Sequence, residues 1–193
     1  MIEIGCGDKT KGHLVGEFIE KHIGLDHQDC PHDISNIDLI GTAYAIPEKD
    51  ESFDCILSTA VLEHLEEPQK ALSEACRVLK HGGFAIYTAP FFWHLHEEPR
   101  DFYRYTKFGL EHLFKTAGFE IIEIKPLSGF WITFGSELNY YISSFKLGPL
   151  RYAVKLIVAI NNIVFRFLNK IDQKYHPATD KWTWMYLVVT RKP

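Results

Sequence analysis

The chain has 193 residues, 46% apolar and 24% charged, which is ordinary for a single soluble globular domain that buries roughly 70% of its unfolded surface, and which excludes a disordered or low-complexity scaffold. The net charge of -4 is unevenly divided: residues 1–137 hold 23 acidic and 12 basic side chains, 138–193 hold two and nine, and no acid lies between Glu137 and Asp172. An acidic first part excludes a general nucleic-acid surface, and the basic last part needs its own explanation.

Cys6, Cys30, Cys55 and Cys76 are scattered without a C-x-x-C pair, so neither a zinc knuckle nor a disulfide framework is indicated, and free thiols suit the cytoplasm. Glu3 and Asp8 interrupt what would be the apolar core of a secretory signal.

In chain order, Met1–Ile4 reads as the end of a strand running into Gly5-Cys6-Gly7, His22–Leu25 as a second strand ending at Asp26, and Asp38–Ile40 as a third before Gly41. Phe53–Ser58 is a fourth, apolar on both faces at Cys55-Ile56-Leu57, as a buried parallel strand should be. Ala71, Leu72, Ala75, Val78 and Leu79 follow helical spacing from Pro68 to Leu79, with a stop at Gly82-Gly83. Phe84–Ala89 is a fifth strand, Lys107–Thr116 a helix closed by Gly118, Phe119–Ile124 a sixth strand, and Trp184–Thr190 a seventh after a helical insertion over 128–180. Strand and crossover alternate as in a parallel sheet covered by helices, within one domain spanning 1–193.

Four segments carry the chemistry in combination. Gly5-Cys6-Gly7 gives a sharp turn and close backbone approach at a strand end. Asp26, about 20 residues on, stands where a carboxylate takes both ribose hydroxyls of a nucleoside. Gly41-Thr42-Ala43 leads through Ile46-Pro47 to the fourth strand, after which come Val61-Leu62-Glu63-His64 and the helix ending Arg77-Val78-Leu79-Lys80-His81-Gly82-Gly83. A nicotinamide-dinucleotide fingerprint would want a third glycine three places after Gly7, and that position is Thr10.

With E-I-G-C-G at 3–7, G-L-D at 24–26, G-T-A-Y-A-I-P-E-K-D-E-S-F-D at 41–54, V-L-E-H-L at 61–65, E-A-C-R-V-L-K-H-G-G at 74–83 and H-E-E-P-R-D-F-Y-R-Y-T at 96–106, the chain resembles the class I S-adenosylmethionine-dependent methyltransferases. Within these it is similar to the small-molecule type 11 methyltransferase family. The resemblance implies an α/β, doubly wound, mostly parallel seven-stranded sheet, a Rossmann-like methyltransferase fold whose last strand is antiparallel. It also implies S-adenosylmethionine as cofactor and a small-molecule methyl acceptor: a sugar, lipid-linked or quinone-like compound. Gly5, Cys6 and Gly7 would pass under the methionine part, Asp26 would hold the ribose, Thr42 and Ala43 would line the adenine, and Ser58 and Thr59 would close the methionine side. Lys9 replaces a family glycine and would bring a lysine near the methionine carboxylate; Thr42 replaces an acid. The chain opens inside the first strand, so no N-terminal cover helix is expected, and a catalytically silent cofactor-binding or scaffold protein is the alternative.

An activated sulfonium methyl needs chiefly alignment of a nucleophile. The His-, Glu-, Arg- and Tyr-rich segment Pro90–Tyr105, on the ligand-binding side of an open α/β sheet, is where the acceptor is expected. His96 is the expected base, with Glu97 orienting it and Arg100 or Tyr103 holding the acceptor. His64 reads as structural. No metal is expected, because the H-E-x-x-H spacing is missing.

Leu150–Leu168 reads as an apolar helix in which Arg151, Lys155, Asn162 and Arg166 fall within a stripe of about 60°, with Lys146 and Lys170 nearby. Such a helix either covers the sheet and substrate pocket, packs in a homodimer, or lies peripherally on anionic lipid.

Overall fold

The computed structural model describes residues 1–9, 16–30, 33, 35–145, 148–175 and 181–193; Lys146 lies outside them. Among the described residues there are seven strands: β1 (Ile2–Ile4), β2 (Ile23–Asp26), β3 (Leu39–Ile40), β4 (Phe53–Thr59), β5 (Leu79–Pro90), β6 (Glu120–Pro126) and β7 (Met185–Arg191). They form one sheet in the order β3-β2-β1-β4-β5-β7-β6. β1, β2, β3, β4 and β5 pair in parallel, with Ile2 opposite both Ile23 and Ile56. β7 runs antiparallel to β5, since Gly82 N–H meets the Lys192 carbonyl at one end and Phe91 N–H meets the Trp184 carbonyl at the other. The sheet is therefore the expected mostly parallel one.

The helices are α1 (Pro68–Val78), α2 (Lys107–Thr116), α3 (Phe130–Ser143) and α4 (Arg151–Tyr175). Proline stands in the first turn of α1, where its missing N–H costs nothing, and Ala71, Leu72, Ala75 and Val78 are its buried face. Thr106 caps α2 by accepting the Gly109 N–H, while Leu110 and Phe114 are buried and Gly118 follows at φ +93°. The helix α1 does not continue to the glycines. Leu79, fully buried, is already extended and opposite Phe53, so the chain passes from helix into β5 without a loop. Gly82 and Gly83 instead shape the start of β5, where a Cβ on Gly83 would come within 3.0 Å of the Asp54 carbonyl.

The chain divides into two compact units. The first comprises Met1–Ala89, Glu97–Ile124 and Leu187–Pro193, and the second Pro90–His96 and Lys125–Tyr186. The core of the first holds Ile2, Leu25, Ile56, Leu72, Val78, Leu79, Leu110 and Phe114, each 1% exposed or less, with the Tyr87 and Phe114 rings edge to face at 5.1 Å. In the second, α3 and α4 pack antiparallel: Gly135 lies under Phe165, and Asn139 exchanges amide hydrogen bonds of 3.0–3.1 Å with Asn162 and Asn161. The expected basic helix is real and runs on to Tyr175. Among the described residues no helix is long and apolar enough to cross a membrane.

Candidate cofactor and active site

A cavity of about 990 Å³ opens in the first unit at the carboxyl ends of β1, β2 and β4. Its wall includes Gly5, Cys6 and Gly7 after β1, Asp26 at the end of β2, Thr42 and Ala43 after β3, and Thr59 at the end of β4. Seven of the eight residues expected at a cofactor thus share one wall. Ser58 does not: it is buried, and its hydroxyl donates to the Ile4 carbonyl at 3.0 Å, tying β4 to β1.

The turn after β1 depends on glycine. Gly5 has φ +69°, and a Cβ there would meet Val61 Cγ2 at 2.5 Å; Gly7 has φ +54°. Gly7 N–H donates to Asp26 Oδ2 and His27 N–H to Oδ1, both at 2.8 Å. Each carboxylate oxygen takes one backbone donor in this way and keeps a further lone pair for a ligand hydroxyl. Burial pushes the Cys6 thiol up to about 12, so it stays protonated and contributes shape rather than a nucleophile. Lys9 does not reach toward the ligand space. Its ammonium is bound by the Asp38 carboxylate, which also accepts the Gly24 N–H at 2.7 Å.

Two observations indicate that these residues fit a nucleoside-bearing cation. The Thr59 hydroxyl oxygen is buried on the cavity wall without a hydrogen-bond partner among the described residues, a loss on the order of 1–3 kcal/mol that a ligand donor or acceptor would recover. The wall also carries Asp8, Asp26, Asp29, Glu66, Glu97 and Glu98 against Arg100 and two histidines, His27 and His64, an acidic lining that favours positive charge.

The segment expected to hold the acceptor is divided between the units. Glu97 to Tyr105 belongs to the first and folds onto the turn after β4. Glu63 O accepts the N–H groups of Phe102 and Tyr103, the Tyr105 hydroxyl donates to Leu62 O at 2.8 Å, and the Tyr103 hydroxyl donates to Glu66 O at 3.0 Å. Tyr103 is thereby committed to the loop and is not on the cavity wall, whereas Glu97 and Arg100 are. Glu97 lies 3.7 Å from His64 Nε2. His64 lines the cavity, and its Nδ1 is 2.6 Å from the Arg100 carbonyl; because that oxygen only accepts, Nδ1 carries the proton and Nε2 is the basic nitrogen. His96 lies in the second unit, in the segment Pro90–His96. There its neighbour His94 meets the Glu137 carboxylate at 3.2 Å and contacts the rings of Trp93 and Tyr140.

Glu63 is fully buried beneath this loop, and burial raises its carboxyl to about 7, with His64 and Arg104 offsetting only part of the shift. Arg77 fixes the segment that follows the Thr42-Ala43 wall. Its guanidinium donates to Glu74, Asp50 and the carbonyls of Ile46 and Glu48 at 2.6–3.1 Å, holding residues 46–50 against α1. Arg100, expected to hold the acceptor, is on the wall, whereas His64 was read from sequence as structural; its only signal was its place in the V-L-E-H-L segment.

Residues 2–87 match the family described as a methyltransferase domain. Over 94% of this chain and 76% of the relative, the sequence is 24% identical to a ubiquinone biosynthesis O-methyltransferase of Shewanella sp. (strain ANA-3). Over 75% of this chain and 49% of the relative, it is 26% identical to 2-methyl-6-phytyl-1,4-hydroquinone methyltransferase 1 of Oryza sativa subsp. japonica. Several curated relatives are longer, and the chain spans about half of them or less, 49% in the rice protein and 37% in a mycobacterial one. The crystal structure of a putative methyltransferase from Bacillus halodurans superposes with a TM-score of 0.61 at 17% identity, over all of this chain and 91% of that one.

Proposed function

We propose, from the methyltransferase-domain match over residues 2–87 and the cavity it shapes, that the chain is a class I S-adenosylmethionine-dependent methyltransferase that transfers the methyl group to a small-molecule acceptor. The observation that carries this reading is the acidic, glycine-turned cavity with Asp26 on its wall, bonded by the Gly7 and His27 N–H groups. The cofactor, when bound, supplies an electrophilic methyl on a sulfonium. The chain supplies position: Asp26 holds the ribose hydroxyls, the 5–7 turn admits the methionine part, Thr42 and Ala43 bound the base, and Thr59 takes a polar group of the tail. Among sugar, lipid-linked and quinone-like acceptors, the last is favoured by the hydroquinone and ubiquinone-pathway relatives.

For a hydroxyl acceptor, His64 Nε2 takes the proton and the Glu97 carboxylate stabilises the imidazolium formed. Calorimetry with S-adenosylmethionine and S-adenosylhomocysteine is the first test. Micromolar binding that weakens about 10- to 100-fold in Asp26→Ala is expected, and no heat from the wild type would favour the silent scaffold. In turnover with labelled cofactor, His64→Gln should lose about 10²- to 10⁴-fold while still binding cofactor. Loss in His96→Ala with His64→Gln unimpaired would return the base to His96.

A further inference from the structure

The helix pair of the second unit buries a mixed stripe and leaves its most continuous apolar face outward. On α4 the stripe turned toward α3 comprises Val154, Val158, Asn161, Phe165, Leu168 and Asn169, and Asn139 of α3 bonds the amides of Asn161 and its neighbour Asn162. The outward side is the apolar one. Tyr152, Leu156, Ile157, Ile160, Ile163, Val164, Phe167 and Ile171 are all exposed, Ile163 by 71%. At 100° per residue these eight fill one arc of about 140° without a gap. Arg151, Lys155, Arg166 and Lys170, all exposed, line one edge of that arc within about 100°. The first acid after Glu137 is Asp172, half-buried on the side toward α3.

We infer that α4 docks this protein peripherally on an anionic lipid surface, its apolar arc sunk at the acyl boundary and its cation row at the level of the headgroups. Charge complementarity selects this occupant. A row of four cations with no acid on the exposed side matches lipid phosphates, and their long stems let the charges stay at the headgroups while the arc beside them is buried. A second copy would set the same row against its own kind. A span across the bilayer is ruled out by the cations along the helix.

The test is flotation of the full chain with phosphatidylcholine vesicles with and without phosphatidylglycerol. Co-flotation is expected only with the anionic vesicles and should weaken with salt. Lys155→Gln and Arg166→Gln should each lower partitioning about fivefold. The pair Ile160→Glu and Ile163→Glu should abolish it, while circular dichroism and S-adenosylmethionine calorimetry remain those of the wild type. Failure to float at low salt, equal binding to neutral vesicles, or full binding by the double variant would overturn the proposal. So would a wild-type dimer that this double variant dissociates with no vesicle binding by either. Because calorimetry reports the cofactor cavity separately, loss of docking and loss of methyl transfer are distinguishable.

Discussion

At the residue scale, Glu63 couples the fold to pH. Its carboxyl is buried beneath the 97–105 loop and titrates near 7 when folded, against 4.5 when exposed. Between those values the folded chain binds more protons than the unfolded one, so stability falls as pH rises from about 4.5 to about 7 and levels off above that. Urea unfolding should show wild type losing on the order of 2–3 kcal/mol between pH 5 and pH 8 from this group, and Glu63→Gln should flatten that slope. An unchanged slope in the variant would mean that the carboxyl is not the titrating group. The V-L-E-H-L segment that contains Glu63 was legible in the sequence as a unit, as was Asp26 at its strand end. The pairing of Glu97 with His64 was not, because adjacency in the chain suggested His96. The reversal of chain direction that places Glu97 over the β4 turn comes from backbone bonds to the Glu63 carbonyl, which have no side-chain signature. Lys9 was misplaced for a similar reason: Asp38, its actual partner, lies 29 positions away.

At the element scale, α3 and α4 approach closely because position 135 lacks a side chain. A Cβ there would meet the Phe165 ring at 2.5 Å, and Phe165 is also in ring contact with Trp131 and Phe134. Gly135→Leu should therefore displace α4 and destabilise the second unit by about 1–3 kcal/mol, read as a lower unfolding midpoint, with Phe165→Ala restoring part of the loss. Additive effects of the two substitutions would show that the ring is not what the new side chain meets. Strand positions in the first 125 residues were readable to within a few residues, since buried parallel strands declare themselves as short apolar runs between turn residues. The start of β5 was misread because Leu79 satisfies the helical spacing of α1 and the strand pairing with Phe53 equally well. Helix α3 was read only as part of the helical insertion over 128–180, without bounds of its own, because Phe130, Trp131, Phe134, Tyr140 and Tyr141 surround it with aromatics and blur its apolar stripe.

At the scale of the whole molecule, charge and ligand chemistry divide along the chain. The acidic cavity lies in the first unit and the exposed cation row in the second. A ligand that binds only the folded form stabilises it by RT ln(1 + [L]/Kd), about 2.7 kcal/mol at a hundredfold excess over Kd, which slows exchange through the same opening about 100-fold. S-adenosylmethionine at that excess should therefore protect amides at the carboxyl ends of β1, β2 and β4, including those of Gly7 and His27 on the Asp26 carboxylate. Anionic vesicles should instead slow exchange within α4, where the apolar arc from Tyr152 to Ile171 loses contact with water. Hydrogen exchange read by mass spectrometry on the same sample, with each ligand alone, resolves both. Cofactor that leaves the segments after β1 and β2 unprotected would remove Asp26 from its assigned role, whatever the vesicles do to α4.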